Sequence, residues 1–130
     1  ANLAMDAVAD ALASGSVTKL QQSLQKAWNE DANAIMIVRS CQTYFQQLCL
    51  AGYIIDKGQS VQDAVQSLRP PLHFKLRDRL QSHLSRWQPY NAMDIVKRLQ
   101  DIELKLKISN LDSQIYTAQS LLGICLRAAR

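Results

Sequence analysis

Residues 31–56 read DANAIMIVRSCQTYFQQLCLAGYIID and form the longest segment of the chain with apolar residues at helical spacing. Drawn as a helix, the stretch has apolar side chains on most of its sides: Ile35, Ile37, Val38, Cys41, Phe45, Leu48, Cys49 and Ile55. A helix of this kind belongs in the middle of a bundle, because little of its surface suits water. Lys57 and Gly58 follow, and a cation and a glycine are favoured at a helix end. The stretch therefore predicts a central helix surrounded by others.

The rest of the chain repeats apolar residues at spacings of three and four, which is the pattern of amphipathic helices. Strict alternation over the length of a strand is missing. We expect further helices at about 2–13, 17–28, 61–68, 71–87 and 91–107, and one that begins at about 111. The inward faces are predicted to include Leu3, Ala7, Trp28, Trp87, Leu111, Ile115 and Leu126. The sequence predicts an all-α fold, a single helical bundle of six to seven helices with short turns.

Start and stop signals separate these segments. Gly15 can adopt the left-handed backbone conformation that ends a helix, and Ser16 can cap the next helix. Ser60 and Asp63 resemble a capping box. The Pro70-Pro71 pair ends one helix, with Pro71 expected in the first turn of the next, and Pro89 is expected to interrupt the chain before the helix at 91–107.

Size and composition favour one domain over residues 1–130. The chain has 130 residues, 48% hydrophobic and 20% charged, and no Gly/Ser-rich or Pro-rich linker divides it. It contains no apolar run near the roughly 20 residues that a bilayer span needs, and its start lacks the pattern of a signal peptide. Three cysteines, an odd number, argue against a secreted disulfide framework. We expect a cytoplasmic protein without a membrane segment.

Charge is unevenly distributed along the chain. The net charge is +4, but residues 1–33 carry −2 and residues 69–107 carry +5. Such asymmetry permits contact with nucleic acid or with an acidic protein surface, and does not choose between them.

Cysteine and histidine, the usual metal ligands and nucleophiles, form no reactive pattern here. Cys41 and Cys49 share a helix face but lie two turns, about 12 Å, apart, so one tetrahedral zinc cannot take both without distortion. Cys125 sits on an apolar stripe, and all three cysteines are expected to pack in the core. His73 and His83 are expected at the surface or in caps. We expect no catalytic residue, metal ligand, cofactor or small-molecule substrate.

Glu103 lies on the inward side of its helix, four residues before Lys107. The spacing predicts a helical ion pair between the two. A carboxylate that meets a partner chain is the alternative.

The segment 75–86 presents a basic face, with Lys75, Arg77, Arg79 and Arg86 as candidate contacts to phosphate or to a partner. A helix, a turn and a basic helix superficially suggest a DNA-reading helix-turn-helix. The turn holds two prolines, however, and few side chains on the exposed side suit base edges. A solvated or protein-contacting face is favoured over phosphate contact without sequence recognition, and sequence-specific DNA recognition is the least favoured interpretation.

Four stretches in the same order resemble one known family. Residues 61–75, VQDAVQSLRPPLHFK, followed by Trp87, resemble a helix, a proline turn and a basic helix in the C-terminal domain of the bacterial DNA polymerase III delta subunit. Residues 6–15, DAVADALASG, are similar to the opening helix of that domain, and residues 39–48 to its long central helix. Residues 102–107, IELKLK, are similar to a late motif that the family often follows with Thr-Gly, whereas this chain has Ile108 and Ser109.

The resemblance covers about residues 3–126 and implies a helical collar domain. In that family the domain joins like domains of the other subunits in the pentameric clamp loader, which loads the sliding clamp on primed DNA during replication. It implies partners among the clamp-loader subunits, DNA contact that is indirect or a weak contact through the basic face, and no catalysis by this domain. The family's N-terminal clamp-binding and AAA+-like domains are not in this sequence. The alternatives are a helical nucleic-acid-binding module that uses Lys75 to Arg86, and an unrelated helical adaptor.

Overall fold

Seven α-helices joined by short turns make up residues 3–129, the part of the chain that the computed structural model describes. They are α1 (Leu3–Ser14), α2 (Val17–Asn29), α3 (Ala34–Asp56), α4 (Val61–Ser67), α5 (Phe74–Arg86), α6 (Pro89–Ile108) and α7 (Ser113–Ala128). No strand occurs in this range. The prediction of an all-α helical bundle is confirmed, while Asn2, expected in the first helix, lies outside the described residues.

Side-chain caps fix where most of the helices begin. The Ser16 hydroxyl accepts from the Lys19 amide at 3.2 Å and the Ser60 hydroxyl from the Asp63 amide at 3.1 Å, as the sequence predicts. The Asn33 side chain accepts from the Ile35 amide at 2.8 Å. Each such cap satisfies an amide that the first turn leaves unpaired.

Two of these caps correct predicted starts. Since Asn33 is the cap of α3, the helix begins at Ala34 and not at Asp31, whose φ of +60° is left-handed. Asp112 caps α7 by accepting from the Ile115 amide at 2.9 Å, which leaves residue 111 in the turn.

The prolines also shift two predicted boundaries. Pro71 is not in the first turn of α5, because the helix begins at Phe74 with His73 as its cap. Pro89 does not interrupt the chain but is the first residue of α6, two residues before the predicted start. Its missing N–H costs nothing there, since the first amides of a helix have no partner within the helix.

Helix α3 is the centre of the bundle, as predicted, and contacts α1, α4, α5, α6 and α7. Ile37, Val38, Cys41 and Phe45 along it are fully buried. α6 runs antiparallel to α3, because Arg39 near the start of α3 bonds to Glu103 near the end of α6. A side chain on Gly52 would approach Pro89 to 3.0 Å, which shows how closely the two helices pack at the other end.

Trp87 holds the end of α5 in the core. Its side chain is 8% exposed, and its indole Nε1 donates to the Ala13 carbonyl at 2.9 Å. The Phe45 ring meets it edge to face, with 5.1 Å between the ring centroids. The predicted core position of Trp87 is confirmed, while Trp28 is half-buried and packs against the edge of the core.

Five residues predicted to face inward are exposed: Leu3, Ala7, Leu111, Ile115 and Leu126. The buried stripe of α7 runs through Thr117, Leu121 and Cys125, on a side of the helix that leaves positions 115 and 126 toward solvent. Apolar periodicity fits more than one face when a helix is apolar on several sides.

None of the helices within residues 3–129 is both long enough and apolar enough to span a bilayer.

Candidate functional site

The predicted basic face lies at the edge of the buried side of α5. Leu76, Leu80 and His83 point into the bundle. At 100° per residue, Lys75, Arg79 and Arg86 lie along one flank of this buried side, whereas Arg77 lies along the opposite flank. The four candidate residues therefore do not share one surface.

Two of the candidate cations have partners within the chain. Arg79 Nη2 donates to the Ser14 hydroxyl at 3.3 Å, and its Nε lies 3.8 Å from an Asp10 carboxylate oxygen. Arg86 Nη1 donates to the Ala128 carbonyl at 2.6 Å, which ties the end of α5 to the end of α7. Asp10 offsets part of the charge of Arg79, and the carbonyl contact occupies a donor of Arg86 that phosphate would otherwise use.

A groove of about 430 Å³ between α1 and α5 brings charges of both signs together. Three cations and three acids line it: Lys26, Lys75, Arg79, Asp6, Asp10 and Asp78. Burial raises the pKa of Asp6, although the nearby His73 opposes the rise, and its Oδ2 has no hydrogen-bond partner among the described residues. The groove is of mixed charge, which does not favour a polyanion such as DNA.

His83 lies at the centre of a polar network inside the bundle. Its side chain is 1% exposed, so the prediction of a surface or capping role is wrong for this residue. Nε2 lies 2.9 Å from Asp10 Oδ1, and Nδ1 bonds to the Tyr44 hydroxyl. His83 continues the apolar stripe of α5, since it lies three residues after Leu80 and four before Trp87. This spacing is the sequence signal that predicts a buried position for it.

The network joins three helices by charge and hydrogen bonding. Burial alone would raise the pKa of Asp10, but the hydrogen bond with His83 and the charge of Arg79 outweigh it and hold the pKa below its ordinary value. Burial raises the pKa of Tyr44, so its hydroxyl remains a donor. With a proton on Nε2, His83 donates to Asp10 and accepts from Tyr44, which satisfies both ring nitrogens.

Asp10, His83 and Ser14 superficially resemble a catalytic triad. In a triad, the acid and the nucleophile bond to different ring nitrogens. Here Ser14 and Asp10 both approach Nε2, at 3.2 and 2.9 Å, and Tyr44 occupies the other nitrogen. The arrangement joins α1, α3 and α5 and lacks triad geometry.

The other histidine and the cysteines take structural positions. His73 Nδ1 accepts from the Lys75 amide at 3.3 Å, which confirms a capping role. Cys41 is buried, and burial raises the pKa of its thiol to about 12. Cys125 is also buried, whereas Cys49 is half-buried at the edge of the core. Within residues 3–129, no three His, Cys, Asp or Glu side chains are grouped to hold a metal ion.

Glu103 forms the predicted pair with Lys107, at 2.8 Å, and two contacts to α3 in addition. Arg39 Nε donates to it at 3.0 Å and Gln42 Nε2 at 2.9 Å. The hydrogen bonds from Lys107, Gln42 and Arg39 outweigh a small burial effect and lower the pKa of Glu103 to about 2. Its carboxylate thus joins α6 to α3.

We expect Glu103→Gln to lower the free energy of unfolding by about 1 kcal/mol at neutral pH, because it removes the negative charge on which three hydrogen bonds depend. The folded pKa lies below the ordinary value of 4.5, so the carboxylate stabilises the fold above that value and the contribution is lost as the pH falls toward 2. Urea unfolding of both proteins across this range should show their difference shrinking.

Asp94→Asn is the matched control, since Asp94 also pairs with a cation four residues on, Arg98 at 3.6 Å, but is 54% exposed. Asp94→Asn should lower the free energy of unfolding by less than about 0.5 kcal/mol. Equal losses for the two variants would contradict a special role of Glu103.

A cluster of exposed apolar side chains lies where α6 passes into α7. We call it the α6–α7 tip: Leu104, Ile108, Leu111 and Ile115, which are 54%, 72%, 53% and 59% exposed. Two of them belong to the last turns of α6, one to the turn and one to the first turn of α7, so they share one end of the bundle. Exposed apolar side chains gathered at one end of a bundle mark interaction sites more often than isolated exposed residues do.

Comparison with known proteins returned no match to a family model, to a curated protein or to a solved structure.

Proposed function

We propose that this chain is the collar domain of a bacterial DNA polymerase III delta subunit, which holds delta among the other subunits of the pentameric clamp loader during replication. The proposal rests on the ordered resemblance of residues 3–126 to that domain. The observation that favours an assembly role is the α6–α7 tip, because four large apolar side chains at one end of a bundle gain most from burial against another protein.

The charges also support assembly rather than DNA reading. Arg79 and Arg86 make contacts within the chain, and Lys75 lies in a groove of mixed charge. A ring of unlike subunits needs two different surfaces on each domain, and the tip would supply one of them. On this proposal the chain works in the cytoplasm without a cofactor and without chemistry of its own.

The test is reconstitution of this chain with the other clamp-loader subunits, followed by size-exclusion chromatography with light scattering. We expect one copy to enter a pentameric particle. For the Leu111→Glu/Ile115→Glu variant, the amount of chain that enters the particle should fall at least tenfold, since burying an unpaired charge at an interface is costly. Both side chains are exposed, so the variant should fold.

Leu50→Glu is the control for this experiment, because Leu50 is also exposed, at 45%, but lies on α3 away from the tip. It should incorporate like the wild type. If the wild-type chain elutes alone in every mixture, the proposed function is wrong; if the tip variant incorporates normally, the tip is not the surface used.

A further inference from the structure

The outer face of α6 carries a continuous stripe of exposed residues. On the buried side, Ile95, Val96 and Leu99 face the core. On the opposite side, steps of three or four residues connect Tyr90, Met93, Lys97, Asp101, Leu104 and Ile108, all of them exposed. Tyr90 is 80% exposed and Ile108 is 72% exposed. The stripe is therefore apolar at both ends and charged in the middle, over about 27 Å of helix.

The stripe is nearly symmetric about its midpoint. Tyr90 and Ile108 are equally far from residue 99 in sequence, and so are Lys97 and Asp101. Met93 and Leu104 match to within one residue. When such a helix meets an antiparallel copy of itself, apolar ends meet apolar ends, and each central charge meets the opposite charge.

The central charges are available for this contact. Asp94 is paired with Arg98 at the edge of the stripe, at 3.6 Å. Lys97 and Asp101 form no ion pair with any residue in the part of the chain that the structure describes. Charged residues at the centre of a helix pair fix its register and orientation more than they add to its stability.

We propose that a second copy of this chain docks on the outer face of α6, with the two α6 helices antiparallel about a two-fold axis at residue 99. In the dimer, Tyr90 packs on Ile108 of the second copy, and Lys97 faces Asp101 of the second copy, each contact occurring twice. One helix from each copy buries less surface than a standard stable interface, so the dimer is a weak one.

The test is sedimentation equilibrium of the full chain from about 10 μM to about 1 mM, the range in which small interfaces associate. We expect a monomer–dimer equilibrium in the wild type. Lys97→Asp should weaken dimerisation about tenfold, because it sets two aspartates opposite each other at two places. The exchange Lys97→Asp/Asp101→Lys should restore the wild-type dissociation constant, since each pair is rebuilt with its charges reversed.

Lys19→Asp, an equal change of net charge on the exposed start of α2, should leave the equilibrium unchanged. A wild type that stays monomeric at the highest concentration would overturn the proposal, and the face would then suit a helix of another protein. The proposal would be overturned equally if Lys97→Asp left the dissociation constant unchanged, or if the exchange Lys97→Asp/Asp101→Lys failed to restore the wild-type value. Leu104 and Ile108 belong to both this face and the α6–α7 tip, so a copy held in the ring through the tip would not dimerise through them. The dimer of the isolated chain needs no clamp-loader subunit, so its test is separate from the reconstitution.

Discussion

Gly15→Ala is expected to lower the free energy of unfolding by about 3 kcal/mol, although it adds a single methyl group. Gly15 ends α1 with a φ of +70°, a conformation that costs other residues about 1–2 kcal/mol. An added Cβ would also lie 2.7 Å from the Ala129 amide nitrogen and 2.9 Å from the Ala128 carbonyl carbon. Both are main-chain atoms, so the end of α7 would have to move.

Two other glycines separate the causes of this effect. Gly58 has a φ of +101° and no atom within 4 Å of its added Cβ, so Gly58→Ala should show the conformational cost alone. Gly123 lies inside α7 facing open space, and Gly123→Ala should stabilise the protein by up to about 1 kcal/mol. Chemical denaturation of the three variants measures the differences. A Gly15→Ala loss no larger than that of Gly58→Ala would contradict the close approach of α1 and α7.

Trp87→Ala is expected to cost about 4 kcal/mol, as large aromatic deletions in well-packed cores do. The variant leaves a cavity beside the Phe45 ring and removes the donor that satisfies the buried Ala13 carbonyl. Trp87→Phe keeps most of the ring volume and loses the hydrogen bond, so its cost should lie between zero and that of the alanine variant.

Trp28→Ala provides the comparison, because Trp28 is half-buried and packs at the edge of the core. Its loss should be clearly smaller than that of Trp87→Ala when unfolding is followed by circular dichroism. If both variants lost the same free energy of unfolding, burial depth would not determine how much a tryptophan stabilises the fold. The circular-dichroism signal also reports whether each variant is folded before denaturant is added.

The helical class and the central position of α3 were predictable, because apolar spacing reports both directly. Helix starts were predictable where a hydroxyl cap follows a glycine that ends the preceding helix, as at Ser16 after Gly15 and Ser60 after Gly58. They were missed at Asn33 and Asp112, where other polar residues nearby offered competing starts. Which polar side chain accepts the first amides depends on the path of the preceding turn, and spacing does not encode that path.

The inward side of a helix with several apolar sides was the harder prediction. Ile115 fits an apolar spacing in α7, yet the bundle buries a different stripe. His83 was expected at the surface or in a cap because it continues the basic face of its helix, but Asp10 and Tyr44 supply its hydrogen bonds from α1 and α3. A buried polar residue is stable only with such partners, and partners far away in sequence become apparent only when the helices are packed.

The junction of the first and last helices also determines the order of events during synthesis. The Cys125 thiol meets the Ala11 carbonyl across 114 positions of sequence, and α1 packs along α7. Contacts between such distant segments form late, since a long loop must close before they stabilise anything. During synthesis, the contact between α1 and α7 therefore cannot form until α7 has left the ribosomal exit tunnel. Until then, the apolar surface of α1 that α7 covers is accessible to chaperones.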